Sequence, residues 1–149
     1  MASGAEPADF SRLQLAILLQ QKSEFGEAKT QLLQLWERRK DLPSPFAAEV
    51  LWYLAEGEQA QGNIDGALDA YMQLAWQFPQ ENIWATTAMY RAAQIYEELG
   101  RLDTARRLLS VVADRADTKE AKEAAKAKLN AIEGKLGKPA GRNVMEYPF

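Results

Sequence analysis

The octapeptide IDGALDAY at residues 64–71 decides the fold, because its pattern occurs three times along the chain. The first copy is FGEAKTQL at residues 25–32, and the third is LDTARRLL at residues 102–109. An alanine stands at the fourth position of each copy, and these alanines are 39 and 38 residues apart. A regular period of this length indicates stacked helical units, each of which buries its apolar face against the next.

The spacing of apolar residues predicts an all-α chain of seven helices. Apolar residues recur at i, i+3 and i+4, and the alternation typical of half-buried strands is almost absent. We expect glycine in a left-handed turn to end helices at Gly62 and Gly100, and we expect the last helix to end at Gly134. The predicted helices span residues 9–22, 25–40, 45–61, 64–78, 83–99, 102–114 and 118–133.

Three of the predicted helix starts carry residues typical of N-caps. Ser44 precedes Pro45, which suits the first helical position because its missing N–H is not needed there. Asn82 precedes the fifth helix. Asp117 stands three residues before Glu120, as in a capping box. We therefore predict side-chain caps at Ser44, Asn82 and Asp117.

Small residues occupy matching positions in both helices of each unit, which lets two antiparallel helices approach closely. They are Ala16, Ala55 and Ala93 in the first helices and Ala28, Ala67 and Ala105 in the second.

The turn glycine, the hydrophobic-x-x-Ala-x-x-x-aromatic-or-Leu pattern and the proline after it resemble the tetratricopeptide repeat. The best copy covers about residues 48–82, with Gly62, Tyr71 and Pro79 at the spacing of that family. The first copy departs from the pattern, since Ser23 replaces the turn glycine. The resemblance covers residues 9–133 and implies three helical hairpins, stacked as a short solenoid, plus a C-terminal capping helix.

The repeat period exceeds the roughly 34 residues usual in that family. A longer period, Leu-Gly at residues 99–100 and an Ala/Lys/Glu-rich last helix resemble the bacterial cell-envelope subgroup. That subgroup includes the C-terminal domain of the Tol–Pal coordinator and outer-membrane assembly lipoproteins. The sequence shows neither a secretory signal nor an apolar run of ~20 residues, so we expect no direct membrane insertion. The localisation stays open: cytoplasmic if the chain is complete, periplasmic or cell-envelope if it is an excised domain.

The chain divides by composition into three parts. We expect residues 1–8 to be a flexible N-terminus and residues 9–133 to be the repeat domain. Residues 134–149 are rich in Gly, Pro and Lys, yet they end on the large apolar side chains of Val144, Met145, Tyr147 and Phe149. We therefore expect this tail either to be flexible or to dock on its own helices or in the groove of a neighbouring copy.

The composition excludes several classes of chemistry. The 149 residues include neither cysteine nor histidine, which removes the commonest catalytic bases, nucleophiles and transition-metal ligands. The pair Gly137-Lys138 has no glycine five residues upstream, so there is no phosphate-binding loop. We predict no catalytic residue, no cofactor and no metal, and therefore no enzyme. The net charge of −3 argues against a nucleic-acid partner.

The resemblance implies a non-catalytic scaffold or adaptor that binds a protein, as a peptide or a helix, on the concave face of the stack. The side chains that line this groove in the family correspond by register to Leu13, Ile17, Gln20, Glu49, Trp52, Glu56, Gln59, Thr87, Tyr90, Gln94 and Glu97.

Two alternatives stay open at this point. Leu13, Ile17, Trp52 and Tyr90 could fill the core of a short superhelix instead of contacting a partner. The groove or the C-terminal tail could also bind a second copy, which would make the protein a self-assembling homo-oligomer. Trp76 and Trp84, on either side of the Pro79 loop, either join adjacent hairpins or form a second contact patch.

Overall fold

The computed structural model describes residues 4–136, and this part of the chain is all-α with no strand. Each helix packs against the next one in the chain, and α3 also contacts α1 and α5. Three hairpins therefore stack in order, and the last helix packs on the sixth. The helices are α1 (Pro7–Gln21), α2 (Phe25–Glu37), α3 (Ser44–Ala60), α4 (Ile64–Gln77), α5 (Asn82–Glu98), α6 (Leu102–Arg115) and α7 (Lys119–Leu136), with a 3₁₀ turn at Arg39–Asp41.

The seven predicted helices are confirmed, and their ends lie within three residues of the predicted ones. The clearest difference is at Gly134, where we expected the last helix to end. Helix α7 instead continues to Leu136. A glycine inside a helix costs only about 0.5–1 kcal/mol. The ion pair that Lys135 makes with Glu97 of α5 helps to hold this last turn in place.

The turn between the two helices of each hairpin has the left-handed backbone that the sequence predicted. Gly62 has a φ of +82° and Gly100 a φ of +79°. Ser23 takes the same conformation in the first hairpin, with a φ of +63°. A side chain in this region clashes with its own backbone, so the serine destabilises the turn by roughly 1–2 kcal/mol relative to glycine.

The predicted caps at Ser44 and Asn82 are wrong, because tertiary partners use these side chains. Ser44 lies inside α3, and its Oγ accepts a hydrogen bond from Gln80 Nε2 at 2.9 Å. Asn82 Nδ2 donates to the carbonyl of Arg115 and to Asp117 Oδ1, both at 2.7 Å. Both residues therefore tie the loops between hairpins together.

Two other residues provide side-chain caps. Asn63 Oδ1 accepts from the N–H of Gly66 at 3.2 Å at the start of α4. Thr118 Oγ1 accepts from the N–H of Ala121 at 3.0 Å at the start of α7. The cap that we assigned to Asp117 thus belongs to its neighbour, since the Asp117 carboxylate already accepts from α5.

The six repeat alanines are confirmed as helix–helix contacts, because each is at most 1% exposed. The apolar core forms two clusters. The first lies around Phe46 between α1, α2 and the start of α3, and the second lies around Tyr71 from α3 to α7. Both clusters pack against the rings of Trp36 and Phe78, whose centroids are 6.1 Å apart. Helix α3 therefore belongs to both cores and joins the first hairpin to the rest.

The N-terminal end of the stack is held by a partly buried ion pair, in which Asp9 is buried and Arg38 is half exposed. The Arg38 guanidinium, just after α2, donates to both carboxylate oxygens of Asp9 in α1, at 2.7 and 3.2 Å. Asp9 is only 6% exposed, and this hydrogen bonding lowers its pKa below the ordinary value. Ala5 is also buried and α1 begins at Pro7, so residues 5–8 belong to the folded unit and not to a flexible N-terminus as expected.

Candidate functional site

Two adjacent depressions lie along the face of the stack that α1, α3, α5 and α7 form. The first has a volume of about 480 Å³, and the second about 400 Å³. Gln59 lines both, so we call them together the inner groove and refer to them as its first and second parts. The first part is lined by Ile17, Gln20, Gln21, Phe25, Tyr53, Glu56, Gln59, Ala60 and Arg91. The second part is lined by Gln59, Gln94, Glu97, Glu98, Lys128 and Lys135.

Arg91 of α5 is the most strongly positioned side chain of this groove. Its guanidinium carbon lies 4.8 Å from the ring centroid of Trp52 and 5.8 Å from that of Tyr71. Its Nη1 donates to the Tyr71 hydroxyl at 3.1 Å and to Gln59 Oε1 at 3.4 Å, and it lies 3.3 Å from Glu56 Oε2. Stacking and hydrogen bonding therefore hold the guanidinium in one orientation.

The remaining donors of Arg91 face no partner within residues 4–136. Arginine carries five N–H donors, and all the hydrogen bonds and the ion pair described above use Nη1. The side chain is 31% exposed. Nε and Nη2 can therefore donate to a group that enters the groove.

Tyr71 supports this arrangement from the core. The side chain of Tyr71, the last residue of the octapeptide, is fully buried, and its hydroxyl donates to Gln59 Oε1 at 2.8 Å. Burial raises the pKa of Tyr71 to about 12. The hydroxyl therefore stays protonated at neutral pH and holds the Gln59 oxygen toward Arg91.

The second part of the groove is built around Glu97. Its two carboxylate oxygens accept from Lys128 Nζ at 3.1 Å and from Lys135 Nζ at 3.0 Å. These hydrogen bonds, that of Lys135 first, lower the pKa of Glu97. Helix α7 is thereby fixed beside α5, where the first helix of a further repeat would lie.

Six of the eleven predicted site residues line the inner groove. They are Ile17, Gln20, Glu56, Gln59, Gln94 and Glu97. Two others, Leu13 and Trp52, are only 1% and 7% exposed, so they belong to the core and offer almost no surface to a partner. For these two residues the core alternative is the correct one, and Trp52 contributes to the groove from below, as the ring under Arg91.

The last three predicted residues lie away from the lining. Thr87 is exposed, and its hydroxyl donates to the carbonyl of Ile83. Tyr90 is half-buried against the second core. Glu49 is half-buried, which raises its pKa, and its charge contributes to the raised pKa of Tyr53 after the larger effect of burial.

Sequence reasoning missed Arg91 and Tyr53, because at one turn of α3 and of α5 it chose the residue just before the one that lines the groove. It selected Trp52 and Tyr90 as equivalent positions, and the groove is lined by the next residue on each helix. One signal could have found Arg91, since it is the only basic residue between Lys40 and Arg101. A lone cation in a long acidic stretch has many acidic neighbours with which to pair. The other lining residues that were missed are Phe25, Gln21, Ala60, Glu98, Lys128 and Lys135.

The two tryptophans near Pro79 do not form one shared patch. Trp84 packs on Trp52 with a centroid distance of 6.0 Å, which joins α5 to α3. Trp76 is 51% exposed and lines a separate cavity of about 270 Å³ on the opposite side of the second and third hairpins. We call it the outer cavity, and it is lined by Met72, Ala75, Trp76, Pro79, Met89, Val111 and Arg115.

Stacked hairpins with a groove along their first helices define the class of all-α helical-repeat proteins. Residues 49–81 and 87–118 match the family model of the tetratricopeptide repeat. The second and third hairpins therefore match the tetratricopeptide repeat, as the sequence predicted. Repeats of this family generally mediate protein–protein interaction.

The match covers neither the first hairpin nor α7 beyond Thr118. The resemblance to the cell-envelope subgroup remains a prediction. Comparisons with curated proteins and with solved structures return no significant match. Among the helices of residues 4–136, none is long and apolar enough to cross a bilayer.

Proposed function

We propose that this protein is a non-catalytic interaction module that binds an extended polypeptide segment in the inner groove. The observation that carries the proposal is the fixed guanidinium of Arg91, which keeps two nitrogens free of described partners in the floor of the groove. Hydrogen-bond donors fixed in advance gain affinity, because binding does not have to order them.

The chemistry of the lining supports an extended segment over a helix. The main-chain carbonyls of a helix already accept hydrogen bonds within the helix, whereas those of an extended chain accept them from its partner. Arg91 supplies such donors, and Glu56 supplies a carboxylate acceptor beside it. Ile17, Phe25 and Tyr53 add apolar surface for every second side chain of the segment.

Selection from a displayed library of random peptides tests this proposal. The full chain is immobilised, and the selected peptides are then tested on an Arg91→Ala variant and on an Arg107→Ala variant. Arg107 is an exposed arginine of α6 and serves as the matched control. The proposal expects peptides that bind the natural chain and the control but lose at least about tenfold in affinity on the Arg91 variant. Peptides that bind all three chains equally, or a selection that yields no binder, would contradict it.

Self-assembly, the alternative raised by the sequence, makes a different prediction. A second copy seated in the groove or held by the tail would give a mass that rises with concentration. Light scattering over a hundredfold range of protein concentration distinguishes the two, because an interaction module that binds other proteins keeps the mass of one chain.

A further inference from the structure

The inner groove leads directly to the point where the chain leaves α7. Lys135, the penultimate residue of α7, lines the second part of the groove and pairs with Glu97 at 3.0 Å. The chain that follows Leu136 therefore starts at the mouth of the groove. It comprises a linker, residues 137–143, and then the segment Val144-Met145-Glu146-Tyr147-Pro148-Phe149.

Burial of the apolar side chains of this segment would be favourable. Removing a large apolar side chain from water is worth roughly 1.5–3 kcal/mol, and the segment carries four of them. The structure offers two concave surfaces with apolar lining: the first part of the inner groove and the outer cavity. Reach decides between them.

The first part of the inner groove is within reach of the linker. Packed helices lie about 8–10 Å apart, so the step from α7 across α5 to α3 covers about 20 Å. Seven extended residues span roughly 23–25 Å. The linker is therefore long enough for Val144 and Met145 to reach the apolar side chains of Ile17, Phe25 and Tyr53.

The outer cavity is at the other end of α7. It is lined by Arg115, which precedes the start of α7 by only four residues. The 18 residues of α7 then carry the chain about 27 Å away. The linker would have to run fully extended along the whole length of α7 to bring Val144 back to this cavity, whereas the first part of the inner groove is closer.

Charge agrees with the same placement. The linker carries Lys138 and Arg142, and it would pass Glu98 at the mouth of the groove. The single acidic residue of the apolar segment, Glu146, would lie near Arg91, whose unused donors suit a carboxylate.

We propose that residues 144–149 of this chain dock in the first part of its own inner groove and occupy the site in which a partner peptide would bind. A partner must then displace the tail, which lowers its apparent affinity by the fraction of molecules with an open groove. The proposal concerns the same groove as the proposed function, but its test needs no partner, so the two can fail separately.

Paramagnetic relaxation in the full chain tests the docking. The chain has no cysteine, so Asn143→Cys gives a single attachment site for a nitroxide label just before the docking segment. We expect the label to broaden the amide signals of Gln20, Tyr53 and Gln59 and to leave those around Trp76 sharp. The same label in a Met145→Ser/Tyr147→Ser variant should no longer broaden the groove signals, whereas Ala140→Ser/Gly141→Ser, the matched control in the linker, should leave the pattern unchanged.

Three results would overturn the proposal. Broadening around Trp76 and Met89 would place the segment in the outer cavity. In a mixture of a spin-labelled chain with a ¹⁵N-labelled chain that carries no nitroxide, broadening of the groove signals would identify a second copy as the host. Weak broadening spread evenly over the surface would show that the segment docks nowhere.

Discussion

Arg91 combines the residue-level features of the account: a stacked guanidinium, two hydrogen bonds and an ion pair, all within the floor of the groove. Lysine cannot reproduce this arrangement, because its ammonium lacks the planar fork. We predict that Arg91→Lys weakens binding of a groove-selected peptide by about tenfold or more, although the charge is kept. Titration calorimetry measures the affinity, and a binding constant equal to that of the natural chain would contradict the role of the fork.

Ser23 permits a test of backbone strain at a single position. Replacing it by glycine removes the Cβ from a left-handed turn, as Gly62 and Gly100 do in the other two hairpins. We predict that Ser23→Gly raises the free energy of unfolding by about 1 kcal/mol. The reverse change, Gly62→Ser, should lower it by a similar amount. Urea denaturation measures both, and a destabilising Ser23→Gly would show that the serine side chain contributes more than its strain costs.

The ion pair of Asp9 with Arg38 makes the stability of the fold depend on pH in a particular way. The hydrogen bond from Arg38 lowers the pKa of Asp9 in the folded state below its ordinary value of 3.8. The ion pair therefore stabilises the fold at pH values above the ordinary pKa. This stabilisation is lost as the pH falls through the lower pKa of the folded state. We therefore predict that Asp9→Asn destabilises the protein at pH 7 and flattens the fall in stability below about pH 4.

Thermal unfolding at several pH values measures this effect. The matched control is Asp69→Asn, a change at an exposed aspartate of α4, and it should leave the fall in stability below about pH 4 unchanged. If the stability of the natural chain and that of the Asp9 variant fell equally steeply below about pH 4, the ion pair would not contribute to the acid dependence.

At the scale of the helices, the predicted end of α7 at Gly134 is wrong, and a substitution at Gly134 tests whether the helix continues through it. The backbone of Gly134 is helical, and a Cβ added there would meet no atom within 4 Å. We predict that Gly134→Ala raises the free energy of unfolding by about 0.5–1 kcal/mol, because alanine loses less conformational freedom in a helix. If the helix ended before residue 134, circular dichroism and the melting temperature would show no gain.

The number of helices, the pairing of helices into hairpins and the buried alanines could all be predicted from the sequence. The helices follow from the spacing of apolar residues, and the hairpins and alanines follow from the repeat of 38–39 residues. The caps could not be predicted, since Ser44 and Asn82 carry residue types typical of caps but bond to other loops. Six of the fourteen residues that line the inner groove were predicted by register. Tyr53 and Arg91 required the rotation of α3 and α5 about their own axes, because a change of one residue in register turns a helix by 100°. This rotation is set by packing between helices that are distant in sequence.

At the scale of the whole molecule, the residues that repeat between hairpins build the fold, and the residues that differ between them line the groove. The repeated alanines and turns build three similar hairpins. The inner groove depends instead on residues that differ between copies, since Tyr53 and Arg91 occupy equivalent positions with opposite chemistry. Helix α7 closes the stack in the place of a fourth first helix, and its two lysines complete the second part of the groove.

The most direct measurement of the central claim is a nuclear magnetic resonance titration of the full ¹⁵N-labelled chain with a peptide selected on it. The account predicts that the largest shifts cluster on Ile17, Tyr53, Gln59 and Arg91, along the inner groove, while the signals of Trp76 and Met89 hardly move. Shifts concentrated on the outer cavity, or on the exposed faces of α2, α4 and α6, would show that this protein does not bind its partners through the groove.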